Sequence, residues 1–128
     1  MLSLLGVLLA VTAVGGARLL NAAAVHSAAR EVRDLLAFAR DQAVANSTRV
    51  AVRFESSPAR VLVHRGSDTI ARTDLSRTNV RLEATRDSMA YGPAGLGVGA
   101  SNLRLLLTRG ARQDTIVISR LGRVRDGR

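Results

Sequence analysis

The feature that most constrains this chain is its opening, MLSLLGVLLAVTAVGGA, because residues 1–17 carry no charge. Arg18 then interrupts a run that stays uncharged as far as Ala29. A helix that spans a bilayer needs roughly 20 apolar residues. The run approaches that length if the Arg18 side chain extends toward the lipid headgroups. We therefore predict that residues 1–17 form a hydrophobic membrane anchor.

The same residues allow a second interpretation, as a secretory signal peptide. Gly15 and Ala17 are small enough for cleavage after Ala17, which would release a secreted soluble binding domain. Against this, the segment lacks the basic residues with which signal peptides open. A retained anchor should instead continue smoothly into more helix.

Residues 18–47 predict such a continuation, since they contain no Pro or Gly and many Ala. Small and apolar residues, with His26 among them, recur there at three- and four-residue steps: Leu19, Ala22, Ala23, His26, Ala29, Val32, Leu36, Ala39 and Ala43. Asn46 and Ser47 indicate the C-terminal stop. A helix from Leu2 to Asn46 would measure about 65–70 Å. No compact domain of this size can bury such a rod, so its first half must lie in lipid or among copies of itself.

After Ser47 the hydrophobic period changes to two, which predicts strands in residues 48–128. Val50, Val52 and Phe54 share one strand face, and similar alternations follow around residues 60–64, 69–72, 80–84, 103–108 and 115–119. The glycine-rich residues 92–99 are interpreted as an irregular loop. About six short strands after one long helix predict an α+β fold, with antiparallel sheet packed on the C-terminal half of the helix.

Three strings resemble the GspH/FimT-type pseudopilins, a family of type IV pilin-like proteins. The string AAREVRDLLAFARDQAVANSTRVAVRF (28–54) resembles the junction between the family's helix and first strand. MAYGPAGLG (89–97) resembles its aromatic-Gly-Pro turn, and ISRLGRVR (118–125) its closing strand. The order and spacing of the strings carry the resemblance, which extends over nearly the whole chain.

The resemblance implies a structural minor pseudopilin of a type II secretion system or related type IV pilus, with no cofactor. It implies a single-pass inner-membrane protein with a periplasmic head, other pilin subunits as partners, and a role in protein secretion. Anchoring and assembly are assigned to Leu4, Leu5, Val7, Leu8, Leu9, Val11 and Val14. The family opens with a basic leader and carries a Glu inside the anchor, whereas this chain has no acidic residue before Glu31. We therefore interpret residues 1–17 as a truncated prepilin N-terminus.

Titratable groups suited to catalysis are scarce in the sequence. The chain has two histidines, His26 and His64, and no cysteine, which excludes thiolate metal sites and disulfides. No Gly-x-Ser-x-Gly or phosphate-binding glycine motif occurs. His26 is expected in a packing or interfacial position, and His64 in solvent near a turn. We infer a protein that is not an enzyme.

All of the chain's basic residues are arginines. The net charge of +9 that results is concentrated toward the C-terminus. Residues 101–128 contain seven Arg against two acidic residues. Some competence-associated relatives end in a Gly-Arg-x-Arg string linked with DNA binding, and Gly122, Arg123 and Arg125 match it, with Arg120 beside them. On a strand, Arg123 and Arg125 would share a face suited to phosphate oxygens, with Arg112 and Arg128 widening the patch. The alternative is a solvated edge that discourages strand pairing.

Overall fold

The computed structural model describes residues 2–98 and 103–126, with side chains from residue 16 onward. One helix, α1 (Leu2–Ala45), precedes a head built of strands. These are β1 (Val50–Ser56), β2 (Ala59–Arg65), β3 (Asp68–Asp74), β4 (Arg81–Ala84), β5 (Ser88–Tyr91), β6 (Gly97–Val98), β7 (Leu103–Arg109), β8 (Arg112–Ile118) and β9 (Val124–Asp126). A short 3-10 helix, Ser76–Thr78, lies between β3 and β4. The predicted α+β fold is confirmed.

The strands form two antiparallel sheets. The first has the order β3-β2-β1-β5-β6, and the second the order β4-β7-β8-β9. β1 and β2 pair as an antiparallel hairpin, and its turn contains a cis Ser57–Pro58 peptide bond. The interpretation of residues 92–99 as wholly irregular was wrong, because Gly97 and Val98 pair with β5 and extend the first sheet.

A single aliphatic core joins the helix to both sheets. The inward-facing residues of β1 and β7 are buried as the alternation predicted, namely Val50, Val52, Phe54, Leu103, Leu105 and Leu107. From the helix the core receives Val25, Ala28, Ala29, Val32, Leu35, Leu36, Ala39 and Ala43. Half of these are alanines, so the backbone of the helix can lie close to the strands.

The predicted helical stripe is correct only in its C-terminal part. Leu19, Ala23 and His26 are exposed, whereas Val25 and Ala28, outside the predicted stripe, are buried. The core of the described residues begins at Val25, one turn beyond the point where the head first meets the helix. Residues 18–24 therefore have little sheet to pack against.

The helix ends where predicted, in a Schellman motif. The Thr48 N–H donates to the carbonyl of Ala43 and the Ser47 N–H to that of Val44, at 3.1 and 3.3 Å. Ser47 has a φ of 46°, the left-handed conformation that usually falls to glycine at this position. The chain therefore turns sharply out of the helix into β1 with its last carbonyls satisfied.

We expect Ser47→Gly to raise the free energy of unfolding by about 0.5–1 kcal/mol, because glycine adopts the left-handed conformation without steric cost. Chemical denaturation of the wild type and the variant measures this difference. Asn79, also left-handed with a φ of 56°, supplies the control, since asparagine tolerates this region better and Asn79→Gly should gain less. A Ser47→Gly variant no more stable than the wild type would contradict the strain argument.

Candidate functional site

The residues predicted to anchor the chain lie in the first part of α1. The helix backbone is continuous from Leu2 through Ala17 into the head. The side chains of Leu4, Leu5, Val7, Leu8, Leu9, Val11 and Val14 lie outside the described residues, so their role stays a prediction. Among the residues that the structure describes, no helix is both long enough and apolar enough to cross a membrane.

The described part of α1 also has an outward face with apolar side chains. Leu19 and Leu20 are 73% and 62% exposed, and Phe38 and Val44 are also exposed. These residues lie opposite or beside the stripe that packs on the sheets. They offer apolar surface that the head itself leaves uncovered.

The C-terminal arginines meet the helix in one cleft. Arg123 and Arg125 line it from the β9 side, and Arg33 and Arg40 line it from α1. The two C-terminal arginines are exposed and flank the half-buried Val124. Arg125 lies on β9 and Arg123 directly before it. Among the described residues no ion pair involves Arg40, Arg123 or Arg125. Several guanidinium groups therefore face one concave surface.

Gly122 closes the floor of this cleft. It is buried and has a φ of +79°, and a Cβ there would lie 2.8 Å from the carbonyl oxygen of Gly95 and 3.1 Å from Cε1 of Tyr91. Gly95, itself at a φ of +79°, in turn allows Nε of Arg40 to lie 3.1 Å from where its own Cβ would be. The glycine of the C-terminal string thus has a packing role, since any side chain would separate the closing segment from the 92–97 loop.

Tyr91 forms the buried base of the cleft. Its side chain is inaccessible to solvent, and its hydroxyl has no hydrogen-bond partner among the described residues. Burial raises the pKa of Tyr91 to about 12, although the nearby Arg40 charge acts in the opposite direction. The phenol is therefore neutral at physiological pH.

An ion pair holds β9 against the helix. Nη1 of Arg33 donates to Oδ1 of Asp126 at 2.7 Å. Both side chains are partly exposed, so the pair contributes about 0.2–1 kcal/mol to stability. Its main consequence is geometric, because it fixes the strand that carries Arg125 beside Arg40.

The other predicted candidates lie elsewhere. Arg120 is exposed in the turn before β9 and does not line the cleft. Arg112 lines a polar groove with His26 and Asp114, which adjoins the cleft through Arg33, so its part in the patch stays a prediction. Arg128 lies outside the described residues. His64 is half-buried, and its Nδ1 lies 3.1 Å from the hydroxyl of Thr69.

Sequence reasoning missed Arg33, Arg40 and Tyr91 as members of the cleft. The sequence pattern did not mark Arg33 or Arg40 as site residues, and Tyr91 entered only as part of the aromatic-Gly-Pro string. More than eighty residues separate the two arginines from β9. No pattern within the sequence indicates that these segments meet; the aromatic-Gly-Pro string marked only the position of Tyr91.

Tyr91→Phe should raise the free energy of unfolding by about 1 kcal/mol at neutral pH, because it removes a buried hydroxyl without a partner. The pKa of Tyr91 is raised in the folded state. Its contribution to the free energy of unfolding is therefore complete below about pH 10, and it is lost progressively as the pH rises toward about 12. Denaturation across this window should show that loss in the wild type and not in the variant. Tyr91 is the only tyrosine, so tyrosinate absorbance follows it directly; ionisation at the ordinary pKa would contradict its burial.

Comparison with known proteins agrees with this architecture. The family model described as Type II transport protein GspH matches residues 28–122. No curated protein is significantly similar in sequence. The type IV minor pilin FimU of Pseudomonas aeruginosa superimposes with a TM-score of 0.69 at 15% identity, covering 81% of this chain and 88% of that one. The minor pseudopilin EpsH of the Vibrio cholerae type 2 secretion system gives 0.63 at 12% identity, covering 80% and 94%. The long helix packed on antiparallel sheets is thus the type IV pilin-like fold, and the chain belongs to the GspH family of minor pilin-like subunits.

Proposed function

We propose that this protein is a structural minor subunit of a type II secretion pseudopilus, or of a related type IV pilus, and takes part in protein secretion. Residues 1–17 hold it in the inner membrane, residues 18–47 form the amphipathic half of the helix, and residues 48–128 form a periplasmic head. The apolar surface of the anchor then packs against other pilin subunits in the filament. Its action is mechanical, and it needs no cofactor.

The continuous helix is the observation that carries this proposal. From Leu2 to Leu20 the helix runs about 28 Å ahead of the first head contact, at 1.5 Å per residue. A bilayer hydrocarbon core is about 30 Å thick. The absence of any break in α1 at Ala17 favours a retained anchor over a cleaved signal peptide, because the helix continues into the core of the head.

The family match favours the secretion system over other machines. Its description, a type II transport protein, applies to the 28–122 region, which includes most of the head. Both a pilus subunit and a secretion subunit share the fold, so the fold by itself supports either filament. Assembly with other subunits is common to both.

Leu8→Arg should reduce membrane insertion of the full chain sharply, because a central arginine costs about 2.5–3.5 kcal/mol in a spanning helix. Flotation of membranes from cells expressing the wild type or the variant measures the bound fraction. Ala23→Arg, on an exposed helical position nearer the head, is the charge-matched control and should float like the wild type. A wild-type product that starts at Arg18 and does not float would contradict the anchor and support the soluble alternative.

A second candidate function, DNA binding during uptake, is favoured by the arginine cleft. Arg40, Arg123 and Arg125 converge without ion-pair partners in the described part of the chain. Guanidinium groups suit phosphate oxygens. With aromatic residues at only 2% of the chain, base stacking would contribute little, so binding would be electrostatic and independent of sequence.

For three phosphate contacts, duplex affinity should fall about 40-fold when the salt concentration rises fourfold. Replacing Arg123 and Arg125 with Gln should lower the affinity and flatten this salt dependence. Fluorescence anisotropy with the detergent-solubilised full chain measures both. The control replaces Arg72 and Arg81, two exposed arginines away from the cleft, and should retain more affinity. Equal losses in both double variants would contradict a specific role for the cleft.

A further inference from the structure

A groove at the other end of the head is explained neither by the core nor by the arginine cleft. It lies between α1 and the β7–β8 turn and is lined by Arg18, Leu19, Asn21, Ala22, Ala111 and Arg112. We call these residues, together with Gly110 in the same turn, the basal surface. Leu19 and its neighbour Leu20 are exposed on the helix at this level.

The β7–β8 turn lies directly against the helix at Asn21. A Cβ on Gly110 would lie 2.6 Å from Nδ2 of Asn21, and Gly110 has a φ of +58°. Glycine therefore serves both the turn conformation and the close approach. This contact fixes the height of Ala111 and Arg112 along the helix axis.

With residues 1–17 in the bilayer, that height would fall at the membrane surface. Asn21 lies four residues beyond Ala17, or about 6 Å along the helix. The headgroup layer on each side of a bilayer is about 5–7 Å thick. If residues 1–17 span the hydrocarbon, the β7–β8 turn must lie within the headgroup layer rather than above it.

The chemistry of the basal surface matches that layer. Arg18 and Arg112 supply positive charge, and Leu19, Leu20 and Ala111 supply apolar surface at the same level. Arg112 forms one long ion pair, in which its Nη2 lies 3.8 Å from Oδ1 of Asp114. Leucine and arginine side by side are typical of segments at the boundary between lipid tails and anionic headgroups.

We propose that the basal surface binds anionic lipid headgroups, so that the head rests directly on the membrane before it enters a filament. This inference rests on the proposed function, because it requires residues 1–17 to be in the bilayer. Lipid is favoured over a second copy of the chain because two such surfaces would bring arginines against arginines in a protein of net charge +9. It also implies that extraction into the filament breaks a lipid contact of the head as well as of the helix.

The chain has no cysteine, so single labels report single positions. We would reconstitute full-length Ala111→Cys, carrying a fluorophore, in vesicles of phosphatidylcholine with or without phosphatidylglycerol. Lipids bearing a nitroxide at headgroup level should quench this label at least twofold more in the anionic vesicles. The same label at Ala45→Cys, about 36 Å further along the helix, should remain unquenched in both.

The role of charge is tested in the Ala111→Cys background. Arg112→Gln should at least halve the quenching in anionic vesicles, whereas Arg120→Gln, an equal charge change at the far turn, should leave it unaltered. Equal effects of the two variants would overturn headgroup recognition. If the label at Ala111→Cys is not quenched although the protein floats with the vesicles, the basal contact is overturned and the anchor still stands. If the label is shielded from the nitroxide lipids to an extent that depends on the protein-to-lipid ratio, the occupant of the surface is a second copy of the chain instead. Failure to float would overturn both proposals.

Discussion

The packing of one helix face against two sheets is the interaction on which the rest of this structure depends. The sheets share no strand, yet a single cluster of aliphatic side chains joins both to α1 between Val25 and Ala43. Alanines provide half of the helical contribution, which brings the backbones close and compensates for a shortage of aromatic residues. Because the helix is the common element, its axis sets the position of every loop that reaches it.

Two such loops lie at opposite ends of the contact. The β7–β8 turn meets α1 at Asn21, and the Gly95–Gly122 pair meets it at Arg40, about 28 Å further along the axis. The proximal end combines leucines with arginines, and the distal end combines arginines with a buried tyrosine. A rigid helix thus separates the surface proposed to contact lipid from the arginine cleft at the distal end.

The distal cleft shows how a short string acquires a different meaning in three dimensions. In the sequence, Gly122 belongs to a Gly-Arg-x-Arg ending that resembles a DNA-binding feature of some relatives. In the structure, Gly122 is required by the close approach of Gly95 and Tyr91, while the adjacent arginines extend into the cleft. The glycine and the arginines therefore need separate explanations, one from packing and one from charge.

The sequence alone determined the long helix, its end at Ser47, the alternating strands and the α+β class, because each depends on local periodicity or on a local turn conformation. The same local reasoning found the inward faces of β1 and β7. Only the tertiary structure decided that the strands divide into two sheets, that Gly97 and Val98 pair with β5, and that His26 lies outside the core. It also brought Arg33 and Arg40 to Arg123 and Arg125. These outcomes depend on contacts between segments far apart in the chain, and the energy of such contacts leaves no periodic trace in either segment.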